Sequence, residues 1–360
     1  SEYNKMSEMI DLRSDTVTLP TDEMRYAIMS AKLGDDVFCE DPTVNDLEAK
    51  AAKIMGKESG LLVPSGTMGN LVSILVHCQR GTEIILGDKA HTFIYEAGGI
   101  SAFGGIHSRQ LKNQVDGTIN IDDIQSAIRM DNVHFPKTSA ITLENTHNLC
   151  NGSPLSPEYI NSVAQVTHDN DIKLHIDGAR IFNASVAQDL DVKDLVTDAD
   201  SVTFCLSKGL SAPVGSVVCG NERFIYHARR IRKALGGGMR QAGIIAAAGL
   251  FSLENMLDQI KEDHNNAQGL AEGIDKIDGL SVDRENIKTN ILYFDIEEGK
   301  DRGEKIACQT KNIEIYPFEI ELDNIHFFES RPNRFRLVTH YGISSNDVQR
   351  VLTVFQSCFN

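Results

Sequence analysis

The sequence predicts an α/β protein in which a mostly parallel sheet is covered by helices on both faces, followed by a smaller α+β domain. Three observations lead to this prediction. The chain has 360 residues and is 41% hydrophobic, which is enough for two domains that each have a core. Short apolar segments rich in β-branched residues alternate with helical patterns over the first two thirds of the chain. After about residue 255 this alternation gives way to strand-like segments and a closing helix.

The strand-like segments of the larger domain fix where ligands should bind. These segments are GLLVP (60–64), TEIILGD (82–88), SAITLEN (139–145), IKLHIDGA (172–179), SVTFCLS (201–207) and GSVVCG (215–220). In a parallel sheet covered by helices, ligands bind at the carboxyl ends of the strands. We therefore expect the functional residues to follow directly after these segments.

The pattern change near residue 255 predicts the domain boundary. The stretch from the triple glycine at 236–238 to about residue 274 has the pattern of a long helix or a helix pair. Strand-like segments then follow at 289–296, 313–318 and 334–340, and a last helical pattern covers 346–358. We predict an N-terminal arm and large domain over 1–254, and a small C-terminal domain over 255–360.

Composition excludes several classes of partner. The formal net charge of −16 and the pI near 5.1 argue against nucleic acid or an anionic membrane as the main partner. The longest apolar run, at 243–251, is too short for a membrane span. Residues 1–10 lack the pattern of a secretory signal, and the seven cysteines form no CxxC pair. We therefore expect a cytoplasmic protein with reduced thiols and no metal site, in which Cys205 is a core residue.

Lys208 is the residue that most needs an explanation. It lies between two segments that both have the composition of buried strands, although lysine is seldom buried. A Schiff base with an aldehyde would turn the amine into a covalent bond and remove the burial problem. Asp177 ends an apolar segment 31 residues earlier, which leaves room for a helix and the next strand. The pair suggests pyridoxal phosphate, in which a carboxylate keeps the pyridine nitrogen protonated; taken alone, Asp177 is equally consistent with a helix cap.

Two further sites fit such a cofactor. Gly66 and Thr67 lie between a strand and an apolar helical pattern, where backbone N–H groups and a hydroxyl could bind a phosphate. An ordinary capping box would look similar. His91 follows another strand-like segment, where its ring could stack on a planar cofactor or serve a purely structural role. Tyr95 lies four residues later, on the same helix face.

Several motifs in order resemble one known family, the low-specificity L-threonine aldolases. The matching segments are DLRSDTVTLPTDEMRYAI (11–28), PSGTMGN (64–70), LENTHN (143–148), HIDGARIFNA (175–184), CLSKGLSAPVGS (205–216) and GGGMRQAG (236–243). The resemblance extends from about residue 10 to RLVTHYGIS near the C-terminus. It implies the pyridoxal-phosphate transferase fold type I, with a mostly parallel seven-stranded sheet. It also implies an aldehyde-lyase that splits L-threonine or L-allo-threonine into glycine and acetaldehyde, by retro-aldol Cα–Cβ scission through an external aldimine and a quinonoid.

The resemblance assigns the cofactor contacts position by position. Lys208 would form the Schiff base and Asp177 would pair with the pyridine nitrogen. Gly66 and Thr67 would hold the phosphate, and His91 would stack on the ring.

The resemblance also assigns the substrate contacts. Arg180 would lie near the phenolic oxygen of the cofactor and the substrate carboxylate, which Ser14 and Arg336 would help to clamp. His134 and Tyr95 would lie near the substrate side chain. Several of these positions also have ordinary readings, because Ser14 could cap a turn, His134 could be a solvated loop residue and Arg336 could be a surface charge.

The resemblance further implies a homotetramer, a dimer of dimers whose sites are built from two chains. Lys233 would reach a neighbouring subunit's substrate site and Arg240 its cofactor site. Lys233 could instead belong to a solvated charged face. The general base stays open between His91, His134 and a water molecule.

Other functions compete with the aldolase. The first is another fold type I enzyme acting on small amino acids: a β-eliminating lyase, an enzyme similar to serine hydroxymethyltransferase, or an aminotransferase. The second is a pyridoxal-phosphate binder without catalysis. A nucleotide-binding Rossmann enzyme is disfavoured because SGTMGN does not match the G-x-G-x-x-G fingerprint.

Overall fold

The structure is a computed structural model that describes residues 9–297 and 317–359. Contacts divide the chain into a large unit, Pro20–Leu257, and a small unit that combines Ser1–Leu19 with Asp258–Asn360. The predicted boundary between residues 254 and 255 stays a prediction. Of the predicted segment 313–318, the part 313–316 lies outside the described residues.

The large unit contains a seven-stranded sheet. Its strands are β2 (Ser59–Val63), β3 (Glu83–Gly87), β4 (His107–Leu111), β5 (Thr138–Glu144), β6 (Lys173–Asp177), β7 (Ser201–Cys205) and β8 (Ser216–Gly220). The order across the sheet is β2-β8-β7-β6-β5-β3-β4, and only β8 runs antiparallel to its neighbours. The predicted α/β fold with a mostly parallel seven-stranded sheet is therefore confirmed.

Three strands of this sheet are buried along their whole length because helices cover both faces. All five residues are buried in each of β3, β7 and β8, which is typical of parallel sheets between helices. The helices of the large unit are α1 (Asp22–Met29), α2 (Pro42–Met55), α3 (Gly66–His77), α4 (His91–Ile94), α5 (Gly99–Gly104), α6 (Ile121–Ala127), α7 (Pro157–Asp169), α8 (Ile181–Gln188), α9 (Glu222–Ala234) and α10 (Gly243–Asn255).

Local sequence explains where these helices begin. Asp41 accepts hydrogen bonds from the backbone N–H groups of the first turn of α2, and Pro42 supplies the fixed φ of the first helical position. Ser65 caps α3 in the same way, since its side chain accepts from the backbone of Met68 at 3.1 Å. The start of α3 is thus fixed directly after β2.

The small unit has a separate sheet and core. Its described strands are β1 (Ile10–Asp11), β9 (Leu280–Val282), β10 (Ile291–Ile296), β11 (Phe318–Leu322), β12 (Ile325–Arg331) and β13 (Arg334–Val338), and its helices are α11 (Gln259–Ile274) and α12 (Ser345–Phe359). The path through the sheet is β1-β12-β13-β10-β9, and β11 also pairs with β12. Phe294, Phe327, Phe335 and Phe355 form the centre of its core. The segments predicted at 289–296, 334–340 and 346–358 correspond to β10, β13 and α12.

Candidate active site

The chemistry-bearing residues of the large unit converge at the carboxyl ends of the central strands. Glu144 is the last residue of β5 and pairs in register with Asp177, the last residue of β6. Asp177 in turn pairs with Thr203 on β7, and Lys208 follows in the loop after β7. Lys208 and Asp177 therefore follow neighbouring strands, as their spacing in the sequence predicts.

Asp177 is held by two donors in a buried position. Asp177 is only 3% exposed. The side-chain amide of Asn70 donates to Oδ2 at 2.9 Å, and the backbone N–H of Ala179 donates to Oδ1 at 3.2 Å. Hydrogen bonds to both oxygens fix the plane of the carboxylate.

The charges around Asp177 indicate which kind of ligand would stabilise its ionised form. Burial raises the pKa of Asp177 to about 6, and the neighbouring carboxylates of Glu144 and Glu96 act in the same direction. The charges of His91 and Lys208 oppose this rise. A further cation next to Asp177, such as a protonated pyridine nitrogen, would therefore be strongly favoured.

His91 begins α4 and is fixed from two sides. Its backbone N–H donates to Glu144 at 2.7 Å, and its Nδ1 lies 2.9 Å from Oε1 of Glu96. Burial alone would lower the pKa of His91, but the hydrogen bond to Glu96 and the charges of Asp177, Glu96 and Glu144 outweigh it and raise that pKa. The ring of Tyr95 lies 5.5 Å away, tilted by 46°. With Nδ1 directed at Glu96, Nε2 is the ring atom left for a ligand.

The N-terminus of α3 lies beside the end of β7. A Cβ atom on Gly66 would come within 2.8 Å of the Sγ atom of Cys205, so only glycine lets the helix approach this closely. Thr67 is exposed in the first helical turn, where N–H groups have no partner within the helix. Cys205 is buried and accepts a hydrogen bond from Ser216 at 3.4 Å, which agrees with its predicted place in the core.

Arg180 and the triple glycine complete this edge of the sheet. Arg180 is 7% exposed and lies three residues after Asp177, directly before α8. A Cβ atom on Gly237 would come within 2.2 Å of the sulfur of Met68, so the triple glycine packs against the first turn of α3. Arg240 follows this turn and pairs with Asp35 at 3.0 Å.

Lys233 is not one of the buried side chains of the cluster. It is exposed in the last turn of α9, and its side chain lies close to Gly238. The predicted contact of Lys233 and Arg240 with a neighbouring subunit stays a prediction.

His134 is not brought to this cluster within one chain. It is exposed in the turn before β5, where its backbone N–H donates to Asn132. Glu144 ends the same strand, which at seven residues is about 20 Å long. His134 and the cluster therefore lie at opposite ends of β5. The contact of His134 with substrate stays a prediction.

Ser14 and Arg336 belong to the small unit. Ser14 caps a short 3₁₀ turn, since its hydroxyl accepts from the backbone of Thr16 at 3.2 Å. Arg336 on β13 is half-buried, and its guanidinium donates to the carbonyl of Arg13 at 3.0 Å. Ser14 and Arg336, which are predicted to bind the substrate carboxylate, thus lie close together within this unit. Arg334, two residues earlier on the same strand, forms an ion pair with Asp295 at 2.7 Å.

Sequence reasoning missed four residues of the site. Glu96 and Glu144 surround His91, while Asn70 and His175 support Asp177. For His175 the sequence did contain a signal, because the two-residue period of a strand places His175 on the same face as Asp177.

Comparisons with known proteins bear on the identity of this site. The family model described as "Beta-eliminating lyase" matches residues 11–297. The "Low-specificity L-threonine aldolase 1" of Arabidopsis thaliana is 47% identical over 351 residues, covering 96% of this chain and 95% of its own length. The "Low specificity L-threonine aldolase" of Escherichia coli (strain K12) is 42% identical over 343 residues, covering 95% and 97%.

The chain belongs to the low-specificity L-threonine aldolase family. This membership confirms the predicted resemblance, the predicted carbon–carbon lyase class and the predicted cofactor, pyridoxal phosphate. A solved structure of a Leishmania major threonine aldolase shares the fold, with a TM-score of 0.77 at 18% identity over 98% of this chain and 100% of that chain. No helix among the described residues is long and apolar enough to cross a membrane.

The side chains at this edge of the sheet fit the cofactor of the family. Asp177 is a buried acid that a cation would stabilise, and the start of α3 offers N–H groups to an anion. The hydroxyls of Thr203 and Ser211 are buried there without a hydrogen-bond partner among the described residues. Such hydroxyls are expected where a polar ligand completes a site.

Proposed function

We propose that this chain cleaves L-threonine and L-allo-threonine to glycine and acetaldehyde, with pyridoxal phosphate as its cofactor. The observation that carries the proposal is the placement of Asp177 and Lys208 after neighbouring strands, beside His91 and the start of α3. Aldolases of Arabidopsis and E. coli at 47% and 42% identity support the same reaction. They favour it over the alternative fold type I reactions.

Four residues would make the main contacts with the cofactor, and His91 would stack on its ring. Lys208 would attach it through the ε-amino group, and Asp177 would keep the pyridine nitrogen protonated. The first turn of α3, including Gly66 and the hydroxyl of Thr67, would bind the phosphate. When bound, the cofactor supplies an acceptor for the electrons of the Cα–Cβ bond that breaks.

The substrate carboxylate would determine which bond breaks. Arg180, Ser14 and Arg336 would bind it, and guanidinium groups suit this task because they donate two parallel hydrogen bonds to a carboxylate. A carboxylate fixed in this way leaves one orientation for the bond from Cα to the β-carbon. Tyr95 and Lys233 are proposed as further substrate contacts, and Arg240 as a cofactor contact.

Removal of the β-hydroxyl proton requires a base. His91 can accept this proton only at Nε2 and only in its neutral form, because Nδ1 faces Glu96. Its raised pKa means that a larger share of His91 is protonated near neutral pH than for an ordinary histidine. His134 and a water molecule are the other candidates.

The proposed reaction is tested by its products. Purified protein loaded with pyridoxal phosphate is incubated with L-threonine and, separately, with L-allo-threonine, and acetaldehyde, glycine and keto acids are quantified. Acetaldehyde and glycine in equal amounts are expected from both epimers. A keto acid as the main product would indicate an aminotransferase or a β-eliminating lyase and would overturn the proposal.

We also propose a homotetramer with active sites at the dimer interfaces. An apolar surface of the large unit supports subunit contact: Tyr26, Met29, Leu33 and Ile244 are 66%, 75%, 46% and 46% exposed. These residues lie on or beside α1 and α10, which pack against each other, and α10 begins shortly after Arg240. Exposed apolar residues grouped in this way are typical of interaction sites.

A cytoplasmic location, with a role in threonine breakdown and glycine formation, is part of the same proposal. It is supported by the six described cysteines, all of which are free thiols.

A further inference from the structure

A line of polar side chains runs from Asp177 back along β6 and α3 to Ser201, the first residue of β7. Asn70 lies 2.9 Å from Asp177 and 3.1 Å from His175, through its two side-chain atoms. The other ring nitrogen of His175 lies 2.8 Å from the hydroxyl of Ser201, which lies 2.7 Å from His77. We call Asn70, His175, Ser201 and His77 the polar line.

The periods of helix and strand bring these residues together. Asn70 and His77 are seven residues apart on α3 and therefore share one helix face. His175 lies two residues before Asp177 and shares its face of β6. Asn70, His175 and Ser201 are 2%, 0% and 0% exposed, so these three have little contact with water.

Chemistry fixes the direction of every hydrogen bond in the polar line. Asp177 only accepts when ionised, so Asn70 presents its NH₂ group to it and its carbonyl oxygen to His175. His175 must then carry its proton on Nε2, which leaves Nδ1 to accept from the hydroxyl of Ser201. That hydroxyl accepts in turn from Nε2–H of His77. Each donor therefore points toward Asp177.

Both histidines of the polar line are neutral near physiological pH. Burial lowers the pKa of His175 to about 3 and that of His77 to about 4. A neutral imidazole has one donor and one acceptor, which is what the directed line requires at His175.

The amide of Asn70 serves two carboxylates at once. Its nitrogen donates to Glu96 at 2.9 Å as well as to Asp177, and Glu96 holds Nδ1 of His91. An Asn side chain has the same shape in either orientation, but a flipped amide would direct its oxygen at both carboxylates. The N–H of His175 prevents the flip because it requires the oxygen on its own side.

We propose that Asn70, oriented by His175 and Ser201, is a positioning residue that holds Asp177 and Glu96 in place for the cofactor and for His91. The inference rests on the proposed role of Asp177 opposite the pyridine nitrogen. It adds a set of residues, buried behind the site, whose hydrogen-bond donors are needed for cofactor binding.

The decisive comparison is between His175→Gln and His175→Leu. Glutamine keeps a donor at the position of Nε2, whereas leucine has a similar size and no donor. We measure the Kd of the apoprotein for pyridoxal phosphate by absorbance titration, together with kcat, KM and the Tm of the apoprotein. The loss of the buried hydrogen bond from His175 to the carbonyl oxygen of Asn70 corresponds to a change of up to about ten-fold in affinity.

We expect His175→Leu to weaken cofactor binding about ten-fold and to lower kcat, with KM for threonine little changed. His175→Gln is expected to stay within about three-fold of wild type, and Ser201→Ala to show a smaller loss than His175→Leu. His168→Leu, at an exposed position of α7, serves as the control. Unchanged cofactor affinity in His175→Leu, or equal losses in the glutamine and leucine variants, would overturn the proposal.

Two further measurements keep the outcome decisive. Asp177→Asn tests the underlying assignment: unchanged cofactor binding in this variant would refute the role of Asp177, whereas a loss there with none in His175→Leu would refute only the polar line. Nitrogen-15 NMR of the wild-type protein reports the tautomer of His175 without any substitution. The Nε2–H form is expected, and the Nδ1–H form would contradict the direction of the line.

Discussion

Glu144 and Asp177 lie directly opposite each other at the carboxyl ends of β5 and β6, yet their surroundings shift their pKa values in opposite directions. Burial acts to raise both. For Glu144 it is outweighed by the charge of His147 and by hydrogen bonds from the backbone of His91 and Asn148, so its pKa is lowered. Asp177 has weaker compensation, and its pKa rises to about 6. Glu144 is therefore a permanent anion that fixes α4, while Asp177 is the acid that gains most from a bound cation.

The first prediction concerns Lys208. We expect Lys208→Ala to lower turnover at least about 1,000-fold and to abolish the absorption band of the lysine-bound cofactor, because no other group can form that bond. Acetaldehyde release and the visible spectrum are the measurements. Lys193→Ala, at an exposed lysine paired with Asp191, should leave both unchanged. Near-native turnover in Lys208→Ala would remove Lys208 from its central role.

The second prediction concerns the protonation of His91. We expect NMR titration of the apoprotein to give His91 a pKa above the ordinary value of 6.5, because Glu96, Asp177 and Glu144 favour the imidazolium. Glu96→Gln should bring that pKa down, since burial then acts with less opposition. The stabilisation from protonated His91 is fully present below about pH 6.5 and is lost as pH rises through the raised value. An unchanged His91 pKa in Glu96→Gln would show that the ion pair does not control it.

The third prediction concerns Asp263 in α11 of the small unit. Asp263 is fully buried; Oδ1 accepts from Gln259, and Oδ2 has no hydrogen-bond partner among the described residues. Burial raises the pKa of Asp263 to about 7, and the charges of Asp15 and Glu262 add to this. The folded chain thus keeps a proton that the unfolded chain releases near pH 4, so the free energy of unfolding falls as pH rises from about 4 to about 7.

Asp263→Asn removes this charge while keeping the acceptor for Gln259. We expect the Tm of the apoprotein to rise by about 3–6 °C at pH 8 and by less than about 2 °C at pH 4.5. Thermal unfolding followed by circular dichroism gives both values. An equal change at the two pH values would point to packing instead of charge.

The fourth prediction concerns the apolar surface. We expect Ile244→Glu to shift the protein toward smaller assemblies, because a charge buried in a subunit contact is costly to desolvate. Analytical ultracentrifugation measures the change. Val115→Glu is the matched control, since Val115 is 62% exposed in the loop after β4 and belongs to no proposed contact. The same assembly in Ile244→Glu and in wild type would place the subunit contact elsewhere.

The fifth prediction concerns Arg336. We expect Arg336→Ala to raise KM for threonine about ten-fold or more, because a charged hydrogen bond to the substrate carboxylate is lost. Arg334→Ala removes the same group two residues away, on the same face of β13, and should change KM little. Steady-state kinetics on both variants decide between them. Equal effects would show that the two arginines act through the stability of the small unit.

Sequence patterns predicted six of the seven strands of the large unit, because those strands are mainly apolar and are followed by polar motifs. They missed β4, whose polar sequence HSRQL lies at the edge of the sheet. The same logic placed Asp177 and Lys208 after neighbouring strands, and it placed Gly66 and Thr67 between a strand and a helix. The sequence could also have shown that His134 lies far from the site, because it precedes the strand 138–144 and the site lies at the carboxyl end of that strand.

Long-range pairing was beyond sequence reasoning. The parallel pairing of Ile10 with Ile325 links segments more than three hundred residues apart, and no local pattern encodes it. Glu96 and Asn70 were missed for a related reason, since the fold alone brings them to Asp177 and His91. The roles of Ser14, Arg336, Lys233 and Arg240 in catalysis stay predictions.

The antiparallel course of β8 has a mechanical consequence for Lys208. No crossover helix separates β7 from β8, so Lys208 lies in the ten-residue loop 206–215. The ends of this loop are joined by the ladder between Phe204 and Val217 and by the hydrogen bond from the backbone N–H of Leu206 to the carbonyl of Gly215 at 3.0 Å. Backbone hydrogen bonds from Ser211 to Lys208 and from Ala212 to Leu206 restrain the loop further. The ε-nitrogen of Lys208 is therefore expected to move, as it binds and releases the cofactor, by rotations about the bonds of its four methylene groups. Such rotations are fast compared with hinge motions of whole segments.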